Sequence, residues 1–467
     1  MPHGSSTGVS LMVRLPSRYE RMRERSRALF NLLDDEAYYS RPIALRHPIV
    51  FYEGHLPAFS FNTLVKKALR GASIDPRLET LFARGIDPDE AAAPALTAAD
   101  HRSLWPDRRT VQQFAAEADR RVLEALARRD LDRPGDPLLD RAEAAFTILE
   151  HEAMHQETLL YIWHQLPLRQ KRRPFDYAPR PGDGRLPAPE WIEVPAGRAA
   201  IGVDRSEIAF GWDNEFPAYR EEVDAFAIAR HNVTNAQYLE FVESGGYQDA
   251  RWWRPDDWRW VQAERVTHPL FWAHASGSPT DPRGNPTDPR GNQDAWYWQG
   301  MFDLLPLPPA WPVYVSQAEA SAYARWRGGR LPTEAEYQRA AYGSPDGGRL
   351  YPWGDDAPSP LRGVFDFSSW DPEPVGSHPA GASAWGVEDL VGNGWEWTSS
   401  RFAPFPGFRP MASYPEYSAD FFDGEHYVMK GASPATAREL LRPSFRNWFR
   451  ARYPYVYASF RCLKSTS

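Results

Sequence analysis

The chain has 467 residues, 42% hydrophobic and 25% charged, with a net charge near −8 and a single cysteine, Cys462. That length suggests two domains, and the acidic balance argues against a nucleic-acid partner, which would need a concentrated basic face. No apolar run is long enough to span a bilayer, and one cysteine rules out an intrachain disulfide and a thiolate-rich metal site.

The opening stretch MPHGSSTGVSLMVRLP lacks the basic start and apolar core of a secretory leader, so a reducing cytoplasm is the expected address. Ser17 is placed to cap a helix over RYERMRERSRALFNLLDD, in which Tyr19, Met22, Leu29, Phe30 and Leu33 trace one apolar face. The segment after His55, LPAFSFNTLVKKALRG, predicts a second helix, and Thr110 to Arg129 a third. A fourth is expected over 138–167: Leu139, Ala142, Phe146, Leu149, Met154 and Leu160 recur at helical steps, with no Gly or Pro between Pro137 and Pro167. Four such helices predict a small bundle over 1–170.

Residues 171–189, KRRPFDYAPRPGDGRLPAP, are rich in Pro, Gly and charge and read as a linker. Of the 19 tryptophans only Trp105 and Trp163 precede Glu190, so 190–467 is a module of different construction. It carries short strand-like pieces (WIEVPAG, VDAFAIAR, HYVMKGA, YASFRCLK) and two helical ones, TNAQYLEFVES, capped by Thr234 or Asn235, and SQAEASAYARWRGG. The tandem copies Pro279–Asn285 and Pro286–Asn292 have turn composition and read as a surface loop. Cys462 is expected to be a small buried hydrophobe.

His151 and His155 stand four residues apart in HEAMHQE, one turn apart on one helix face, and both can reach one ion. His55, in FYEGHLPAF, is the third candidate ligand. Two histidines from a helix and one from elsewhere make a metal site with positions left for chemistry, and imidazoles suit iron(II) and zinc alike. HEAMH is also a literal H-E-x-x-H zinc-hydrolase motif. Against that reading, no acidic residue follows Glu157 before Asp176, and Tyr161 and His164 do not fit the extended zincin pattern.

At GWDNEFPAYREEVDAFAIARHNVTNAQYLEFV, GGRLPTEAEYQRAA, YPWGDD and GNGWEWTSS the second module resembles the formylglycine-generating-enzyme-type fold, from about Trp191 to Lys464. GHLPAF and HEAMHQETLLY resemble the DinB-type bundle fused to that fold in ergothioneine-biosynthesis sulfoxide synthases. The resemblance implies an α+β protein, a DinB-like four-helix bundle joined to a formylglycine-generating-enzyme-like, C-type-lectin-like domain. It also implies iron(II) on His55, His151 and His155, and an enzyme that uses O2 to bond a chalcogen to imidazole C2 of hercynine. Glu157 is the candidate carboxylate behind the ligands. Asn447 and Trp448 would contact hercynine, whose trimethylammonium group suits aromatic faces. Arg446, Arg450 and Arg452 offer a fork to its carboxylate. A pocket tyrosine that supplies a proton or electron would be Tyr414 or Tyr417. Formylglycine generation itself needs a cysteine pair that this chain lacks.

Two positions depart from the pattern. Phe449 stands where enzymes that use γ-glutamylcysteine commonly have Asp, and Met154 where many relatives have Gln. A rim of Phe449, Tyr453, Tyr455 and Tyr457 suits an uncharged, sugar-like donor. The expectation therefore favours the selenoneine synthase branch, with a selenosugar as donor. The alternative is an ergothioneine-type enzyme using cysteine or γ-glutamylcysteine. Oligomeric state is not legible in the sequence.

Overall fold

The computed structural model describes residues 14–83, 102–128, 130–275 and 295–464. The tandem repeat at 279–292 lies outside the described residues, as does most of the opening stretch. The chain forms two compact units: Met1–Phe175 with Met411–Pro415, and Asp176–Pro410 with Glu416–Ser467. Sequence reasoning had not foreseen the five-residue contribution to the first unit.

The first unit is helical. Helix α1 is Leu15–Phe30, α2 Ile49–Ser60, α3 the short Pro76–Leu81, α4 Arg108–Leu126 and α5 Glu143–His164. Helix α1 packs on α4 and α5, and α2 packs on the same two helices, which gives the four-helix arrangement. The buried face of α1 (Tyr19, Met22, Leu29, Phe30) is the predicted one, and α4 buries Val111, Phe114, Ala118 and Val122 at helical steps. Helix α5 is buried on nearly every side, polar residues such as His151, Glu152 and Gln156 included.

Three boundaries differ from expectation. Ser17 is not the cap of α1: Pro16 occupies the first turn, where its missing N–H costs nothing, and the Ser17 hydroxyl donates back to the Arg14 carbonyl at 3.1 Å. His55 lies inside α2 rather than before a helix. Helix α2 runs through Pro57 and opens into a π-helical turn, Phe61–Ala68. Helix α5 starts at Glu143, because Arg141 and Ala142 both take left-handed backbone angles, φ 56°.

In the second unit the strand Trp191–Val194 pairs antiparallel with Phe226–Ala229, and Leu463–Lys464 and Gly329–Arg330 complete a four-stranded sheet. A second sheet orders Asn447–Arg450, His426–Ala432, Gly394–Arg401 and Ala458–Ser459. Between them run long irregular segments around fully buried tryptophans, including Trp212, Trp272, Trp298, Trp311, Trp395 and Trp397. Both expected helices form, as α6 Asn235–Glu243, capped by Thr234, and, further along, Gln317–Trp326. Three more appear: Pro255–Ala263, Glu334–Tyr342 and Glu416–Ala419. The second of these was legible in LPTEAEY, where Thr333 Oγ1 accepts from Glu336 N at 3.1 Å and Glu336 Oε2 accepts from Thr333 N at 2.8 Å. Thr333→Ala is expected to cost about 1 kcal/mol, read as a lower midpoint with unchanged slope in chemical denaturation.

Candidate metal centre

The metal centre is built from α5 and α2, both in the helical unit. Helical periodicity sets His151 and His155 one above the other, with ring centroids 4.4 Å apart. Helix α2 crosses this face and brings the His55 ring to 5.1 Å from His151 and 5.0 Å from His155. One ligand atom from each of the three falls within 4.8 Å of the other two. His55 and His151 are buried and His155 is half-buried.

Each ring has a buried nitrogen with no hydrogen-bond partner among the described residues: His55 Nε2, His151 Nδ1 and His155 Nδ1. Burying a polar atom without a partner is costly, and one nitrogen of each ring lies within 4.8 Å of the other two, a spacing that one bound cation can bridge. Burial pushes His55 down to about 4, partly offset by its bond to Phe82. Burial, then the neighbouring His155 and His55, pushes His151 down. Burial, then His55 and Arg46, does the same to His155. All three are held as neutral imidazoles, the form that donates to a metal.

The surroundings are apolar and aromatic. Phe59 stacks on His151 with centroids 3.5 Å apart at 7°, and Phe51 stacks on His55 at 4.9 Å. His55 Nδ1 donates to the Phe82 carbonyl at 2.8 Å, which leaves Nε2 as the lone pair this ring can offer. Sequence reasoning missed Phe82 because the contact is made by a backbone atom; Phe59 was visible in GHLPAF.

The segment 411–415 belongs to this unit and is tied to it by hydrogen bonds. Ser413 donates to Glu143 from its N at 3.1 Å and from its Oγ at 2.9 Å, and its Oγ lies 2.9 Å from Thr147 Oγ1. Lys67 Nζ donates to the carbonyls of Ala412 at 2.8 Å and Ser413 at 3.1 Å. Tyr414 is thereby set against Phe59 at 5.2 Å and His151 at 6.2 Å between ring centroids. Tyr417, in the second unit, is stacked on Trp212 at 3.9 Å and edge-on to Trp448 at 5.2 Å.

Glu152, the glutamate of H-E-x-x-H, is no general base for this centre. Its Oε1 accepts from Arg23 Nη1 at 2.9 Å and Ser26 Oγ at 2.6 Å, and the pair is buried. Glu157 stands two residues past His155, about 200° round the helix. An acceptor behind one ligand is the Phe82 carbonyl, which His55 Nδ1 meets. Met154 precedes His155 on α5 and is half-buried.

In the second unit Arg446 is not available as a carboxylate fork. Its guanidinium is buried, bound to Glu334 through Nε at 3.0 Å and Nη2 at 3.1 Å, and Nη1 meets the Ala403 carbonyl at 3.1 Å. Arg452 is paired with Asp257 at 3.1 Å; Arg450 is exposed. Asn447 and Trp448 are half-buried on one strand, and Trp448 stacks on Phe402 at 4.1 Å. Phe449, Tyr453 and Tyr455 form a ladder with centroids 4.9 and 5.0 Å apart. Tyr457 is not part of it, since it packs with Phe271 and Tyr314 in the core. Cys462 is buried, and its thiol is pushed up to about 12 by that burial.

Residues 18–159 match the DinB superfamily, and 178–466 match the sulfatase-modifying factor enzyme 1-like domain. The chain is 34% identical to a hercynine oxygenase of Mycolicibacterium thermoresistibile over 84% of this chain and 81% of that protein. It is 28% identical to ergothioneine biosynthesis protein 1 of Neurospora crassa, over 93% of this chain and 55% of that protein. It is also 31% identical to a formylglycine-generating enzyme of Mycobacterium tuberculosis, over 59% of this chain and 97% of that protein. Fold and site thus define an α+β, oxygen-dependent enzyme with a histidine centre in a DinB-type unit. The chain belongs to the ergothioneine-biosynthesis sulfoxide synthase family.

His151→Ala is expected to abolish stoichiometric metal binding, whereas the adjacent Glu152→Gln keeps the metal and lowers the melting temperature. Metal analysis of the folded variants beside their thermal melts reads both.

Proposed function

We propose that this enzyme uses iron(II) and O2 to bond a chalcogen to imidazole C2 of hercynine. The supporting observation is the convergence of three imidazoles, two buried and one half-buried, in a chain related over most of its length to a hercynine oxygenase. His55, His151 and His155 would hold the iron, which supplies O2 reduction and a binding position for the donor's chalcogen. One O2 takes four electrons. Two come from joining the C–H and the chalcogen–H into a carbon–chalcogen bond, and two from oxidising the chalcogen with one oxygen atom. The other oxygen atom leaves with both hydrogens as water.

The chain's own residues orient and isolate this chemistry. Phe51 and Phe59 pack on the ligand rings and exclude water. Tyr414 is the proposed proton donor, because its ring packs on Phe59 beside His151 whereas Tyr417 is engaged with Trp212. Trp448 and Asn447 are the proposed hercynine contacts, with Arg450 the arginine proposed for its carboxylate. For the donor we favour a selenosugar. Phe449, Tyr453 and Tyr455 pack into one aromatic group that suits an uncharged, sugar-like donor, and Phe449 offers no carboxylate to an amino-acid ammonium.

A paired assay with hercynine, O2 and iron(II) tests the donor. Turnover with a selenosugar is expected to exceed that with cysteine or γ-glutamylcysteine by about tenfold or more in kcat/KM, one discriminating contact's worth. Turnover of thiols alone removes the selenium assignment and keeps hercynine; hercynine untouched with every donor removes the function. Tyr414→Phe is expected to lower kcat by ~100-fold, the scale of one lost general acid, with iron content unchanged, and Tyr417→Phe to leave kcat near wild type.

A further inference from the structure

The carbonyl that fixes His55 arrives where it does because of a missing side chain. Phe82 is the C-cap residue of α3, and its ring is fully buried near Phe51, Trp105 and Phe114. A Cβ built on Gly54 would lie 2.6 Å from three atoms of that ring, closer than real contacts allow. Gly54 therefore serves close approach: it lets α2 seat against the end of α3, so that the residue after it, His55, meets the Phe82 carbonyl.

The other end of α3 is gripped by the continuation of α2. Glu79 is buried and accepts from Ile74 N at 2.6 Å, Asp75 N at 3.0 Å and Ser73 Oγ at 2.7 Å. Lys66 Nζ donates to the same carboxylate, and Asn62 Nδ2 donates to the Glu79 carbonyl at 3.1 Å. Lys66 and Asn62 both lie in the π-helical turn, whose wider winding departs from the α-helical spacing along α2. The hydrogen bonds to Glu79 lower its pKa against the burial that would raise it, so this anchor is charged.

We propose that α2, the π-helical turn and α3 form a clamp that fixes the tautomer and ring plane of His55, with Gly54 as its closing contact, and that the clamp sets the metal affinity of the centre. The inference rests on the three-histidine site and not on the identity of donor or acceptor.

The test uses the full-length protein stripped of metal and titrated with cobalt(II). Binding is followed by d–d absorption and by competition with a chelator, and folding by circular dichroism. Gly54→Ala is expected to weaken cobalt binding by about 10–100-fold, the usual effect of losing a partner behind a ligand. Gly54→Ala with Phe82→Leu removes the ring that collides and keeps the carbonyl, and should restore most of the loss. Lys66→Met, at a half-exposed side chain, is the independent arm and should weaken binding in the same direction should Gly54→Ala fail to fold. Wild-type affinity in Gly54→Ala overturns the clamp. So does a loss that persists in the folded double variant, or, where Gly54→Ala does not fold, wild-type affinity in Lys66→Met. Hercynine turnover is not read here, so a failed clamp and a failed activity are told apart.

Discussion

The helical unit is organised around the cost of burying imidazoles. A ring nitrogen removed from water with no partner is unfavourable, yet His55, His151 and His155 each bury one, and the three residues stand in one cluster. Several other buried polar atoms of α5 do find partners within the unit. Glu152 Oε1 is met by Arg23 and Ser26, Gln156 by the Met22 carbonyl, and Thr147 by Ser413. His151 and His155 instead meet His55, and a cation is the group that three clustered imidazoles suit; burial keeps the rings deprotonated for it.

That constraint explains features that otherwise look unrelated. Helix α5 is buried on more than one side, because its ligand face looks onto α2 while the adjoining flank is occupied by the Arg23–Glu152 pair. The aromatic rings stacked on the ligands replace polar contacts that would compete for the nitrogens. The short segment 411–415, returned to the helical unit by a part of the chain otherwise assigned elsewhere, places Tyr414 beside His151 through bonds from Glu143, Thr147 and Lys67. A loop is a sound carrier for such a group when packed helices hold it at several points.

The spacing of His151 and His155 was readable because helical periodicity alone puts them on one face, and the bundle because apolar residues repeat at that same period. The start of α1 was misread: Ser17 looks like a cap until Pro16 takes the first turn. The helix Glu334–Tyr342 was passed over although its T-x-x-E box was in plain view. Other errors concerned partners far away in sequence. Arg446 looked available for a ligand because nothing near it signals Glu334, and Tyr414 and Tyr417 were inseparable because three residues of sequence do not reveal that they fall into different units. The Phe82 carbonyl was beyond reach of any side-chain pattern.

The second unit makes the case that chemistry belongs to the site and not to the fold. It matches the sulfatase-modifying factor domain along nearly its whole length, and formylglycine generation in that group relies on paired reactive thiols. Here the one thiol, Cys462, is buried and pushed up to about 12, far from the thiolate form that reacts. What this unit offers is a rigid aromatic body with three of its arginines committed: Arg446 to Glu334, Arg461 to Glu396, Arg452 to Asp257. Charges locked in this way fix the geometry of an irregular fold with short strands, and they leave the proposed recognition to aromatic rings and to the exposed Arg450. A scaffold held in this way can accept a new substrate by changing rings on one strand, which is where Phe449 departs from the acid common at that position.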